Sequence, residues 1–203
     1  VGSEMCIRDR ASLAVASKAF YGDPSSRLKT VAVTGTNGKT TTTWLVRGIL
    51  EEAGFITGLV GTVEYALAEH RLDKWGRVWQ NDEEDPTLEM QRTLPAHIVP
   101  YLGKYEVQNT TPDALQVQRI MASMLDQGGE AIVMEASSHA LAMGRCDNVE
   151  VDVGVFTNLS RDHMDFHGDM GSYLNAKLRL FQIMSSAQGA GVVNLDDPAA
   201  ESF

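Results

Sequence analysis

The chain has 203 residues, a formal net charge of −10 and 43% apolar residues, enough for one full domain core and too apolar for global disorder. The negative balance argues against nucleic acid or an anionic membrane as the main partner, while leaving room for a local basic phosphate site. No apolar run reaches ~18 residues, so no transmembrane helix is expected, and the two cysteines, Cys6 and Cys146, give neither a disulfide framework nor a Cys-x-x-Cys pair, which suits a reducing compartment.

Val1–Arg10 has no apolar period and no signal-peptide core, and it resembles a translated sequencing-adapter string, so it is read as non-native. Ala11–Tyr21 is Ala-rich and predicted helical. Tyr21–Ser26 is a turn cluster and a linker. Leu28–Thr34 predicts a buried strand, and Thr40–Gly54 a helix with Leu45, Ile49 and Ala53 at helical spacing and Gly54 near its C-cap. Between them lies Gly35-Thr36-Asn37-Gly38-Lys39-Thr40-Thr41. Glycines there allow a tight turn whose N–H groups converge on an anion, the helix N-terminus adds partial positive charge, Lys39 supplies a full one, and the Thr40 hydroxyl can ligate Mg²⁺. The general pattern would place its first glycine at Val33. Here it falls at Gly35, so the loop is shortened, which points away from generic kinases and GTPases.

Phe55–Val63 predicts a second strand. Ala66–Lys104 is polar, acidic at Asn81–Asp85 and interrupted by three prolines, and reads as an insertion or surface excursion. Alternation then resumes, with a helix over Pro112–Gln127 (Pro112 in its first turn), a strand over Ala131–Met134, another over Val151–Thr157, a helix over Gly171–Met184 and a strand over Gly191–Leu195. This order predicts an α/β fold, a P-loop-containing, mostly parallel sheet with helices on both faces.

Three further stretches carry chemistry. Glu135 ends a buried strand, where an acid reaches nucleotide-bound Mg²⁺ in P-loop folds; taken alone, capping the helix at Ser137-Ser138 is an equal alternative, and the phosphate loop upstream favours the metal role. Asp162, His163, Asp165 and His167 follow a strand's C-terminal end, the ligand-binding edge of open α/β sheets. With His139 they also allow a zinc reading. Lys177 shares a helix face with Leu174, Leu178 and Phe181, and spacing alone favours a snorkelling stem over an active-site amine. Asn109-Thr110-Thr111-Pro112-Asp113 precedes a helix and offers either an N-cap or a seat for a polar substrate.

Together, Thr34–Thr42, Asn109–Pro112, Met134–Leu141, Phe156–His167 and Tyr173–Phe181 resemble, in order, the central domain of the Mur ligases. Ser-Ser-His-Ala-Leu and Asp-His-x-Asp-x-His point to the tripeptide-forming branch, in wording closest to cyanobacterial and plastid members. The resemblance implies an ATP-dependent acid–amino-acid ligase of peptidoglycan precursor synthesis that adds a diamino acid to a UDP-muramyl dipeptide through an acyl phosphate. It implies ATP bound by Gly35–Thr41, with Lys39 catalytic. Mg²⁺ would be held by Thr40 and Glu135, a second Mg²⁺ by His163, and Lys177 would be N-carboxylated and share in holding the metal. Asn109, Thr110, Thr111, Ser137 and Arg145 would bind substrate. Met143 stands where the family often has a glutamine, which removes one substrate contact.

The same resemblance implies a remnant of a preceding domain and linker over 11–28 and a central ATP-binding domain over 29–203, truncated at its C-terminus and carrying the 66–104 insertion. The C-terminal ligase domain would be absent, the fragment inactive alone, the protein monomeric, and its location the cytoplasm or a plastid stroma. A folylpolyglutamate- or cyanophycin-type ligase and a non-catalytic partner of plastid transcription machinery are the alternatives.

Overall fold

The computed structural model describes residues 2–63, 65–67, 70–72, 109–184 and 189–203, with the backbone alone for 2–8 and 70–72. Helix α1 spans Gly2–Phe20, taking in residues 2–10 as well as the predicted Ala11–Tyr21 up to Phe20. Strand β1, Lys29–Thr34, is buried from Thr30 onward. It leads through the glycine-rich loop into α2, Lys39–Glu52. Strands β2 (Thr57–Val60), β3 (Tyr65–Leu67) and β4 (His70–Leu72) follow. Then come α3 (Ala114–Asp126), β5 (Ala131–Glu135), the single-turn α4 (Ser138–Ala142) and β6 (Val153–Phe156). Finally α5 (Met164–His167), α6 (Met170–Ile183) and β7 (Ala190–Val193) precede a closing 3₁₀ turn over Pro198–Ser202.

Among the described residues the strands form one seven-stranded sheet in the order β4-β3-β2-β5-β1-β6-β7. Pairing is parallel from β2 through β7 and antiparallel at β2–β3 and β3–β4. Alternation across the pleat divides the core. Ala32, Val60, Ile132 and Met134 face α3, through Val117, Ile120, Met121 and Met124, and also Leu141 of α4 and Leu180 of α6. Val31, Leu59 and Val133 face the other way, against Val46 and Leu50 of α2. Helices therefore cover both faces, as the strand–helix alternation predicts.

Four local expectations are corrected. The predicted apolar face of α2 points outward, with Leu45 64% and Ile49 68% exposed. The helix buries Thr43 and Arg47 instead. Thr40 must face the end of β5 to reach Glu135, and residues three and seven further along share that face. The buried stripe of α6 is Tyr173, Ala176, Lys177 and Leu180, one position back from the predicted one, with Lys177 still on it. In α3, Pro112 lies outside the first turn, because Asp113 is the N-cap and accepts from the Gln116 N–H at 2.8 Å. The start of the predicted surface excursion is sheet: Tyr65, Ala66 and Leu67 are all buried. Residues 73–108, which hold the rest of it, lie outside the described residues.

Candidate active site

The loop after β1 is shaped by two backbone demands. Gly35 has φ +148°, and a Cβ there would collide with the Thr157 hydroxyl. Gly38 takes the left-handed conformation at φ 82° and hands the chain to α2. Both positions favour glycine, Gly38 for its backbone and Gly35 also for the close approach of the neighbouring strand end. The segment after β6 clamps the loop. The Thr36 N–H donates to the Asn158 carbonyl at 2.8 Å, the Asn37 N–H to Asn158 Oδ1 at 3.0 Å, and the Thr157 hydroxyl to the Asn37 carbonyl at 2.7 Å. The clamp is itself braced, since the Asn194 amide donates to the Thr157 carbonyl at 2.8 Å and Asp197 accepts from the Leu159 N–H at 2.8 Å.

Lys39 folds back over the loop and donates to the carbonyls of Gly35, at 3.0 Å, and Thr36, at 2.8 Å. Burial pushes its ammonium below the ordinary lysine range, while Glu135 and Asp162 oppose the fall. The loop thus holds a cation poised at its centre, ahead of a helix N-terminus, an arrangement suited to a phosphate chain.

Glu135 sits at the end of β5, 1% exposed. Thr40 donates to its Oε1 at 3.0 Å. The Thr62 N–H reaches the same oxygen at 2.9 Å, and the Thr62 hydroxyl reaches Oε2 at 3.0 Å. A Cβ on Gly61 would lie 2.5 Å from Oε1, so the chain after β2 is bare where it wraps the carboxylate. Ser137, not Glu135, caps α4, accepting from the Ala140 N–H at 3.2 Å. The capping alternative for Glu135 is removed.

The Thr62 hydroxyl also lies within hydrogen-bond distance of the Thr110 hydroxyl, at 3.2 Å, which joins the carboxylate to the Asn109–Thr111 stretch. Buried Thr111 donates to the Glu135 carbonyl at 2.7 Å and accepts from the Ser137 N–H at 3.1 Å. Arg145 donates to the Thr111 carbonyl at 2.9 Å, and its other terminal nitrogen meets the Met143 sulfur at 3.6 Å. The Asn109 carbonyl accepts from the Tyr65 hydroxyl at 3.2 Å. The structure therefore brings Thr110, Thr111, Ser137 and Arg145 around the same strand end as Glu135.

Lys177 is 1% exposed, and its ammonium lies 4.3 Å from the centroid of the Tyr173 ring. Burial, reinforced by the positive charge of Lys39 and opposed by Asp162, lowers its amine to about 7. His163 has φ 53° and stands ahead of α5. Its ring lies 4.7 Å from that of His139 and 6.2 Å from Tyr173. His167 contacts the Ser138 hydroxyl through Nε2 at 3.0 Å. Burial lowers the proton affinity of both His139 and His167, and their imidazole neighbours add to it. The histidines do cluster, yet no group of three or more His, Cys, Asp or Glu side chains among the described residues has the geometry of a metal site. The zinc reading gains no support.

The sequence reading missed Thr62, Thr157, Asn158 and Tyr173. Thr62 is a lone Thr after a strand, and Asn158 lies inside a quoted string without a role. Their importance comes from pairings across the sheet that no local pattern encodes.

A model of the Mur ligase middle domain matches residues 33–203, and the chain belongs to that family. A UDP-N-acetylmuramoyl-L-alanyl-D-glutamate--2,6-diaminopimelate ligase from Syntrophomonas wolfei is 41% identical over 195 residues, covering 96% of this chain and 33% of the relative. A UDP-N-acetylmuramyl-tripeptide synthetase from Deinococcus radiodurans is 42% identical over 189 residues, covering 93% and 32%. A solved UDP-N-acetylmuramoyl-L-alanyl-D-glutamate--2,6-diaminopimelate ligase superposes with a TM-score of 0.63 at 30% identity, covering 86% of this chain and 28% of that one. Mycobacterium tuberculosis folylpolyglutamate synthase complexed with ADP shares the fold, at TM-score 0.60 and 17% identity over 99% of this chain and 46% of that one. The chain spans about a third of the length of the curated relatives it matches.

Proposed function

We propose that this chain is the nucleotide-binding part of an ATP-dependent ligase that adds a diamino acid to UDP-N-acetylmuramoyl-L-alanyl-D-glutamate in peptidoglycan precursor synthesis, in the cytoplasm. The observation that carries the reading is the Thr40–Glu135 contact of 3.0 Å. It sets a hydroxyl and a buried carboxylate side by side at the mouth of an anion-binding loop. Oxygen donors of this kind suit Mg²⁺, so the residues present fit the ion. Bound there, Mg²⁺ would neutralise charge on the nucleotide phosphates.

In the reaction, the γ-phosphoryl group passes to the substrate carboxylate, an incoming amine attacks the acyl phosphate, and phosphate leaves as the amide forms. The chain's own part is positioning and charge. Backbone N–H groups of Gly35–Thr41 hold the phosphates. Lys39 exchanges its two carbonyl partners for phosphate oxygens. Thr62 and Thr40 keep the Glu135 carboxylate aimed at the loop. Asn109, Thr110, Thr111, Ser137 and Arg145 present hydroxyls, amides and one guanidinium to the muramyl dipeptide. His163 would serve a second Mg²⁺. Lys177 would carry a carbamate, formed when the ammonium gives up a proton and the neutral amine adds to CO₂ with release of a second proton, so that a buried cation is replaced by an anion. Its burial and lowered proton affinity support this, since the neutral amine is the form that reacts.

Two measurements test the reading. The chain should bind an ATP analogue with a Mg²⁺-dependent component, and Glu135→Gln should weaken that component about tenfold or more. The parent ligase should release phosphate only with the muramyl dipeptide and a diamino acid both present. Nucleotide binding indifferent to both Mg²⁺ and Glu135 would overturn the metal assignment. Phosphate release without the dipeptide would overturn the substrate.

A further inference from the structure

Tyr173 is the largest fully buried side chain among the described residues, yet its phenol oxygen is at work in the site. That oxygen lies 3.1 Å from the Thr36 hydroxyl of the nucleotide loop. On the loop side, the Thr36 hydroxyl also accepts from the Ser160 N–H at 2.9 Å. One hydroxyl therefore joins the loop after β1 to the helix that carries Lys177. The face of the same ring lies under the Lys177 ammonium. A phenylalanine would fill this space equally well, so packing alone gives no reason for a hydroxyl here. A buried hydroxyl is retained at a penalty unless it is bonded, and its partner Thr36 belongs to the loop that holds the proposed nucleotide.

We propose that Tyr173 is a positioning residue whose hydroxyl locks the nucleotide loop at Thr36 to α6, so that the phosphate cradle and Lys177 keep one fixed geometry. The lock itself is a property of the chain without ligand. Its consequence for nucleotide affinity rests on the function proposed above.

The test is a double-mutant cycle on the 203-residue chain, read by amide hydrogen exchange and by binding of an ATP analogue. Tyr173→Phe keeps the ring and removes the hydroxyl. Exchange at the Thr36, Asn37 and Ser160 amides should accelerate about tenfold, the factor expected for one neutral hydrogen bond, with the amides of β2 and β5 unchanged. Thr36→Val should reproduce the effect, Thr36→Ser should not, and Tyr173→Phe combined with Thr36→Val should add little to either alone. Analogue affinity should fall about five- to tenfold in the same variants. Unaltered exchange at the three amides, uniform acceleration through the sheet, or full additivity of the pair would overturn the lock. If the wild-type chain binds no nucleotide, the function proposed above fails, and the exchange measurements still decide the lock.

Discussion

Lys177→Met should stabilise the ligand-free chain near neutral pH, in a manner set by pH. The amine is held 1% exposed and falls from 10.5 to about 7 in the fold, chiefly through burial. At 1.36 kcal/mol for each tenfold change in proton affinity, this is on the order of 5 kcal/mol of unfavourable work in keeping the ammonium folded. Methionine has a similar length and is indifferent to pH, but it loses the cation–π contact with Tyr173, on the order of 1 kcal/mol. A gain of about 2–4 kcal/mol is therefore expected at pH 6, or roughly 5–10 °C in Tm for a domain of this size.

The sign follows from linkage. Between about pH 7 and 10.5 the unfolded chain holds a proton that the folded chain has released, so the wild type gains stability as pH rises through this window and the variant does not. The advantage of Lys177→Met should be full below pH 7 and shrink steadily above it. Chemical denaturation from pH 6 to 9.5, in buffer purged of CO₂, measures the difference. A difference that does not change with pH, or a variant less stable at pH 6, would refute the argument from burial. Repeating the series in bicarbonate should narrow the gap further by carboxylating the wild-type amine.

Two other substitutions probe the site's construction. Gly35→Ala forces φ +148° on an L-residue and drives a methyl into the Thr157 hydroxyl; it should cost about 2–4 kcal/mol. Adding Thr157→Ala should recover at least about 1 kcal/mol of that in a denaturation cycle, and strict additivity would show that the loop relaxes elsewhere. Thr62→Val removes the hydroxyl bonded to Glu135 Oε2 and should cost about 1.5–3 kcal/mol, because the acceptor is charged. Thr62→Ser should stay within about 0.5 kcal/mol of wild type; equal losses in the two variants would show that the threonine methyl, not its hydroxyl, matters.

The parts of the site legible in the sequence are those encoded by contiguous residues. Gly35–Thr41 is a strand-to-helix turn whose glycines and lysine define it locally, and Glu135 announces itself by ending a run of buried residues. The capping alternative for Glu135 could not be closed that way, because it is Ser137 that caps α4 while Thr40 and Thr62, distant in sequence, take up the carboxylate. The rotation of α2 was hidden for a similar reason. Leu45, Ile49 and Ala53 offer one apolar face, but Val46 and Leu50 offer another on the stripe that also carries Thr43 and Arg47, and the demand that Thr40 reach Glu135 selects the second. The face of α6 shifted by one residue because Tyr173, polar at its tip, is drawn inward by the Thr36 hydroxyl. Strands β3 and β4 have three residues each, too short for alternation to register.

The clamp on the nucleotide loop also fixes when the site can exist. Asn158 and Ser160 hold Asn37 and Thr36 across 121 and 124 positions of sequence, and β1 has no neighbour on that side until β6 arrives. Loop closures of this length are slow and entropically costly. During synthesis, the loop therefore waits for residues beyond 160 to leave the ribosome before its amides can converge. Until then Lys39 and the glycines are ordinary coil, and the nascent chain carries the motif without the site.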